Sequence, residues 1–490
     1  TATVEAADSV ARLRAQQSVL LGNVVGRDVS VISTTADILN AAGSLKNVTA
    51  ASLRLIAQGT IGVAGRHLST DIGRVTARAA TGGIYLTEDN GAEVSTVRVD
   101  YIEFNADATQ TALVDLAQSD LVTLTNGNIV LVALAGDIVL QDGDVDVTQT
   151  GGDNRFQNTV AVTAHGSGSI LLHAAGGSLT ANASLLSGSG LITVRALQEL
   201  DLSANVLVET AGPGLISLDA VTGSLTMNGT ATVRATGTVA RIRAGQTVTV
   251  GNVISEEVSI IAVNGDILNA GVSSKNVTAA RLRLEAQGNI GDAERHLTTD
   301  IDRITAMSRT GSVYVTEDDG IEVSSVRVAY SEFVADASTT DHVDAAQSDL
   351  VTQLNGNIVL IVKAGNLSLR DGDAAVTQTG GDGRASNSEA VRAHGSGSVR
   401  LQTELGAVEV FANLLSGTGH ITLKAKTDLD VAGGVRIETS AGGNISLDAE
   451  TGDLTLAGSS EVTAENSVVR LRAQGTAEVS NVRAADVSIL

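Results

Sequence analysis

Neighbouring acids are the residues of this chain best placed to do chemistry. Glu88 and Asp89 stand in LTEDNG, and the same turn returns as VTEDDG with Glu317, Asp318 and Asp319, at an offset of 229 (317 − 88). The DGD triplet with Asp142 and Asp144 returns with Asp371 and Asp373, and Asp153 returns as Asp382 in a second VTQTGGD. A glycosidase needs two carboxyls about 5 to 10 Å apart across a cleft, and adjacent acids on turns reach that separation almost anywhere. Recurrence argues against catalysis, because every such group occurs once per repeat and a catalytic site is normally grafted once onto a scaffold. No catalytic residue is assigned, and a carbohydrate-active enzyme would need a polar cluster unique to one repeat.

The same acids could hold a hard cation, since repeated Asp-rich turns can stack carboxylates and carbonyl oxygens around calcium. The candidate ligands are Glu88, Asp89, Asp142, Asp144 and Asp153, with Glu317, Asp318, Asp371, Asp373 and Asp382. The competing reading is a solvated turn, for which Asp and Gly have an ordinary preference. The GGxGxDxUx nonapeptide of calcium β-rolls is absent, GGDGRAS at Gly380 being a partial look-alike. Calcium is the single cofactor considered. Of the histidines, His67 pairs with His296 and His165 with His394 across the repeat, while His173, His342 and His420 do not. Without cysteine or a His-x-x-x-His spacing they read as turn or cap residues.

A third set is aromatic. Tyr85, Tyr101 and Phe104 recur as Tyr314, Tyr330 and Phe333 in a chain with only 4 Tyr, 4 Phe and no Trp. Their presence in both copies points to local packing or to a contact surface. The segment Tyr101 to Asp120, which runs into AQSDLVT, fits the surrounding pattern least well and is where decoration is expected, together with TQTGGDNRFQN from Thr148.

These residues must be positioned by an array. SVARLRAQ at Ser9 returns as TVARIRAG at Thr238 and SVVRLRAQ at Ser467, with both gaps 229 (238 − 9 and 467 − 238). The expected organisation is 1–8 as the end of a preceding repeat, 9–237 and 238–466 as two repeats, and 467–490 as the start of a third, a window from a longer array. Inside each repeat, apolar residues occupy alternate positions in short stretches such as SILLHAAGGSLTA, LITVRALQELDLSA and LISLDAVTGSLTM. Alternation of period two predicts strands. Successive starts from Ser169 advance the numbering by 22, 24, 24, 19 and 24, so each long repeat holds roughly ten coils, each read as two alternations and a variable bend. Turns such as TNGN, VNGD and ETGD let the chain corner. A lone coil cannot bury its inward face, whereas stacked coils can, and parallel pairing satisfies their backbones. The expected fold is all-β, a parallel β-solenoid, and about twenty-one coils at about 4.8 Å would make a rod of about 100 Å. A string of β-sandwiches is the competitor, opposed by the single Pro and the unbroken short period.

Composition agrees. The chain has 52 Gly and no Cys among 490 residues, and its apolar content is Val, Leu, Ile and Ala, suited to a narrow core of stacked side chains. Net charge is −23, spread along both repeats, and no basic patch with interleaved aromatics offers a nucleic-acid surface. Cysteine absence excludes disulfides and thiolate metal sites. The longest uncharged run, Phe156 to Val194, is broken by GSGS, GGS and SGSG, so it is no membrane helix. The six N-x-S/T sequons read as turn asparagines rather than glycan acceptors.

The phrases GNISLDAETGDLTLAG at Gly443 and GLISLDAVTGSLTMNG at Gly214 resemble the repeats of filamentous-haemagglutinin-type adhesins and related giant bacterial surface proteins, over essentially the whole chain. The resemblance implies a right-handed parallel β-helix on the cell surface or secreted from it. Such a segment serves as an adhesin stalk or fibre, with neighbouring repeats as partners and a cell-surface ligand engaged elsewhere in the protein. A laterally assembled multi-chain filament, its acidic faces bridged by divalent cations, is the alternative.

Overall fold

In the computed structural model, which describes residues 2–143, 159–372, 378–379, 385–386 and 388–490, every named element is a strand. Most belong to one long parallel sheet of many strands. The chain divides into two units, the first formed by Thr1–Ala240 with Tyr330–His342 and the second by Arg241–Ala329 with Val343–Leu490.

In unit 1 the coils are stacked residue on residue. Ile129, Ile170, Ile192 and Ile216 are successive partners in one ladder, at intervals of 41, 22 and 24 (170 − 129, 192 − 170, 216 − 192). All four are at most 1% exposed, as are Leu131, Leu172, Val194 and Leu218 two positions on. The interval of 41 marks a coil with an insertion between Leu140 and Val160. Period-two alternation explains the burial, since every second side chain of a strand points inward. Each inward residue then packs on its counterpart one coil away.

Several coils contain three strands where the sequence reading expected two and a bend, while others, such as Asn23–Ser33 with Ile38–Asn40, run two of the faces together as one long strand. Val160–Ala164, Ile170–Ala174 and Leu179–Ala181 make one coil and pair respectively with Ser184–Ser187, Ile192–Ala196 and Leu200–Leu202 of the next. The unforeseen strand is hidden by its burial pattern: SLLS at Ser184–Ser187 is buried at all four positions, so it shows no alternation. Unit 2 has the same construction. Ile358, Val399, Ile421 and Ile445 are successive partners, again at intervals of 41, 22 and 24 (399 − 358, 421 − 399, 445 − 421).

The G-x-I phrase has a steric reason. A Cβ on Gly190 would lie 2.1 Å from the carbonyl oxygen of Gly168, and one on Gly214 the same distance from that of Gly190. Only glycine lets adjacent coils approach so closely at that corner. The polar turn residues act between coils too. Asn128 Oδ1 accepts from Ser169 N at 2.9 Å and Asp137 Oδ1 from Ser178 N at 2.8 Å in unit 1, while Asp453 Oδ1 accepts from Thr476 N at 2.6 Å in unit 2. Sequon Asn47 is fully buried, donating to Leu21 O and accepting from Ser69 N, which gives it a structural role.

Two excursions interrupt the coils. Val97–Phe104 pairs antiparallel with Gln110–Gln118, and Ser325–Phe333 pairs with Thr339–Ser348. They occupy the stretch that fitted the coil pattern least. The other expected decoration, TQTGGDNRFQN at 148–158, lies outside the described residues. No helix among the described residues is long and apolar enough to cross a membrane.

Candidate functional site: a hairpin tip and its seat

Glu88 and Glu317 turn inward. Each is fully buried, Glu88 accepting from Thr70 Oγ1 at 2.5 Å and from Ile72 N at 3.1 Å, Glu317 from Thr299 Oγ1 and from Ile301 N at 3.0 Å. Burial pushes both carboxyls up, Glu317 to about 7, against those hydrogen bonds. Their oxygens tie one coil to the next.

Asp89 and Asp318 point the other way and pair with lysines. Asp89 bonds Lys46, while Asp318 lies 2.9 Å from Lys275 Nζ and 3.0 Å from Lys363 Nζ. Lys275 also reaches Asp300 at 2.5 Å. The hydrogen bonds from Lys275 and Lys363 hold the Asp318 carboxyl low. Among the described residues, the three acids whose oxygens come within 4.8 Å of one another are Asp300, Glu317 and Asp319, a set that includes the two neighbours of Asp318 and not Asp318 itself. Its counterpart in the first repeat differs, because Asn90 replaces an acid and donates to Asp71 Oδ1 at 2.9 Å.

Asp142 and Asp371 sit beside buried acids that the sequence reading did not single out. Asp120 and Asp349 are 6% and 5% exposed, both at φ +71°, and an oxygen of each, Oδ1, accepts no hydrogen bond among the described residues. Burial, with the neighbouring Asp142 or Asp371 charge adding to it, raises these carboxyls to about 7 and about 8. Asp144, Asp153, Asp373 and Asp382 lie outside the described residues.

The hairpins bring the remaining candidates together. Each is rooted by an arginine on the sheet: Asp115 receives Arg12 Nε at 2.8 Å, Arg12 Nη2 at 3.0 Å and Ser30 Oγ at 2.7 Å in unit 1. Burial pushes the Asp115 carboxyl up, but these donors outweigh it and hold the group low. In unit 2 Arg241 Nε lies 3.1 Å from Asp344. Beyond its root the first hairpin carries Tyr101, stacked under the Arg12 guanidinium at 4.3 Å, then Ile102 and Phe104, which are 65% and 73% exposed.

Phe333, the counterpart of Phe104, is 2% exposed. Within unit 1 it packs on Val130, Val132 and Leu171, flanked by Tyr85 and Leu191. Three polar bonds fix the same segment: Phe333 N donates to Thr193 Oγ1 at 2.9 Å, Ser217 Oγ donates to Glu332 Oε1 at 2.9 Å, and Ala335 O lies 3.0 Å from His67 Nε2. His67 in turn lies against Tyr85, ring centroids 5.8 Å apart, and burial holds its imidazole below the usual range. Tyr330 stacks on His342 at 5.2 Å, steadying the tip from within. The six aromatics thus divide into an anchored tip (Tyr330, Phe333), a seat residue (Tyr85) with its counterpart (Tyr314), and a second tip in which Tyr101 lies under Arg12 and Phe104 is exposed. What this arrangement can do is grip, through an aromatic knob set in an aliphatic hollow with polar bonds round it. No family model, curated protein or solved structure matches the chain.

Proposed function

We propose that this chain is a structural, non-enzymatic segment of a giant extracellular bacterial surface protein, a right-handed parallel β-helix of about ten coils per long repeat serving as a rigid adhesin stalk or fibre. The observation that carries the reading is the residue-on-residue aliphatic stack, with the turn side chains of each coil capping the backbone of the next. Such a stack resists extension because lengthening it must break several parallel hydrogen bonds per coil together. The seated tip adds a tie between segments distant in sequence, suiting a load-bearing element.

The alternative, a lateral filament with cation-bridged acidic faces, draws on the exposed Ile102 and Phe104. It is weakened by the lysines that already neutralise Asp89 and Asp318. Small-angle scattering with electron microscopy tests the first reading: elongated particles about 5 Å in length per coil support it, and a compact particle would sink it. Removal of divalent cations with a chelator should leave particle width unchanged, whereas dispersal of bundles would favour the filament.

A further inference from the structure

Asp120 and Asp349 stand where each hairpin returns to the coils, at the end of an AQSD phrase that occurs in both repeats. Acceptors outnumber donors at that corner. Asp120 Oδ1 and Asp349 Oδ1 accept no hydrogen bond among the described residues, and neither do Gln118 Oε1 and Gln347 Oε1 two positions earlier. All four side chains are buried, at 3% to 6% exposure. The amide nitrogens of the two glutamines are satisfied, by Leu55 O with Thr76 Oγ1 and by Leu284 O with Thr305 Oγ1. Buried acceptors are nearly always paired, so what both corners lack is a donor or a cation.

The coil stacked on each corner brings a second carboxyl. A Cβ on Gly143 would lie 2.4 Å from Ser119 Cβ, and one on Gly372 would lie 2.3 Å from Ser348 Cβ, so the Asp-Gly turn above rests directly on the corner below. In unit 2 Asp349 N donates to Ser324 O at 3.3 Å and Arg370 N to Val323 O at 3.0 Å, which sets Asp349 and Asp371 on either side of Ser324. Asp142 and Asp371 are exposed, so each corner has one acid inside and one at its mouth. The arginines nearby are engaged elsewhere, Arg370 with Glu322 at 3.1 Å and Arg392 with Glu389 at 3.0 Å. Asp89 and Asp318 have lysine partners, whereas these four acids have no cationic partner among the described residues.

We propose that each corner binds one calcium ion between coils, Asp120 with Asp142 and Asp349 with Asp371, the buried Oδ1 serving as the inner ligand. Size selects the ion. Neighbouring coils stand about 4.8 Å apart, so an ion midway between oxygens of two coils lies about 2.4 Å from each, within the calcium range and too far for magnesium, which needs about 2.1 Å. Water completes the shell from the exposed side, as calcium permits. The set of Asp300, Glu317 and Asp319 is the weaker candidate, because Lys275 already reaches Asp300 and the Glu317 oxygens accept from Thr299 and Ile301. Bound at the corner, the ion pins the root of the hairpin to the coil above it and leaves the tip untouched. It acts inside one chain, and so differs from cations bridging acidic faces of separate chains.

The test is calcium titration of the full chain after stripping with a chelator, read by isothermal calorimetry and by native-state hydrogen exchange over residues 119–123 and 348–352. Calcium uptake at both corners is expected, with one site lost in Asp120→Asn, the other in Asp349→Asn, and both in the double variant. Asp142→Asn and Asp371→Asn change exposed acids and should weaken the same two sites, which keeps the test decisive if a buried substitution unfolds its corner. Where opening of the corner frees the ion, protection should rise about a hundredfold at calcium about 100 times its dissociation constant. No uptake by the folded chain overturns the proposal and leaves those oxygens to a proton or water. Uptake unchanged in the double variant overturns it too, since the ions then sit on other acids, and magnesium bound as tightly as calcium overturns the size argument. The stalk reading is independent of this site: an elongated particle without calcium leaves it standing.

Discussion

Replacing Phe333 by alanine, and separately Phe104 by alanine, compares one residue type at repeat-equivalent positions in two environments. Phe333 is 2% exposed and Phe104 73%, a difference of 71% of the residue surface (73 − 2). On a buried aromatic area of about 200 Å² this is ~140 Å², and at ~25 cal/mol per Å² it is worth ~3.5 kcal/mol. That figure is an upper bound, because the detached tip keeps some contacts. Global melting is the wrong assay, since long repeat arrays need not unfold in one step. Native-state hydrogen exchange over residues 330–342 reads the joint directly. At about 1.4 kcal/mol per tenfold, Phe333→Ala should speed exchange there by up to about 300-fold, with the new exchange appearing also at the Thr193 strand it covers. Phe104→Ala should change exchange in its own hairpin by no more than about twofold. The reasoning is refuted if Phe333→Ala leaves 330–342 protected, or if the two substitutions loosen their hairpins equally.

Stability should depend on pH through Asp349 and Asp120. Both carboxyls are raised by burial, to about 8 and about 7, so the folded chain binds their protons more tightly than the unfolded chain does. Their contribution is full below about pH 4 and is lost as pH rises through about 7 to 8; Asp349→Asn should flatten that decline in the local hydrogen-exchange stability around residue 349, once intrinsic exchange rates are corrected for pH, and an unchanged slope would count against it. Asn47→Ala removes a fully buried side chain that donates to Leu21 O and Asn40 Oδ1 and accepts from Ser69 N; a loss of about 2 to 3 kcal/mol in local exchange stability around Leu21 and Ser69 is expected. Gly190→Ala places a methyl 2.1 Å from Gly168 O; limited proteolysis should open the chain near that corner, while Gly43→Ala, which meets no neighbour within 4 Å but stands at φ +83°, should produce only a local effect.

The coil spacing was legible because Ile and Leu alternate with polar residues between glycine corners, and the steps of 22 and 24 read from the sequence are those of the observed ladder (192 − 170, 216 − 192). The third strand was not, since Ser184–Ser187 is buried throughout and carries no period. The hairpins announced themselves as a break in the pattern at Tyr101. Their seating did not, because Phe104 and Phe333 are repeat-equivalent and each follows a glutamate, so the pattern alone does not tell the buried one from the exposed one. The placement of the acidic turns was hidden for a related reason. Glu88 and Asp89 are neighbours in the chain but project to opposite sides of the strand, one into the core and the other to Lys46, 43 residues away. Adjacent letters in a strand are seldom adjacent ligands.

The order of the joint along the chain has a kinetic meaning. Phe333 follows Thr193 by 140 residues, so a chain that emerges amino end first has made the hollow before the knob exists. The tip then arrives at a finished surface, and the late step is a docking rather than a search among unformed partners. A chain drawn out carboxyl end first would meet the reverse case, an aromatic tip waiting uncovered while its receptor is still unstructured, with other chains free to compete for it. Directionality of emergence would thus decide between an orderly intramolecular closure and entanglement.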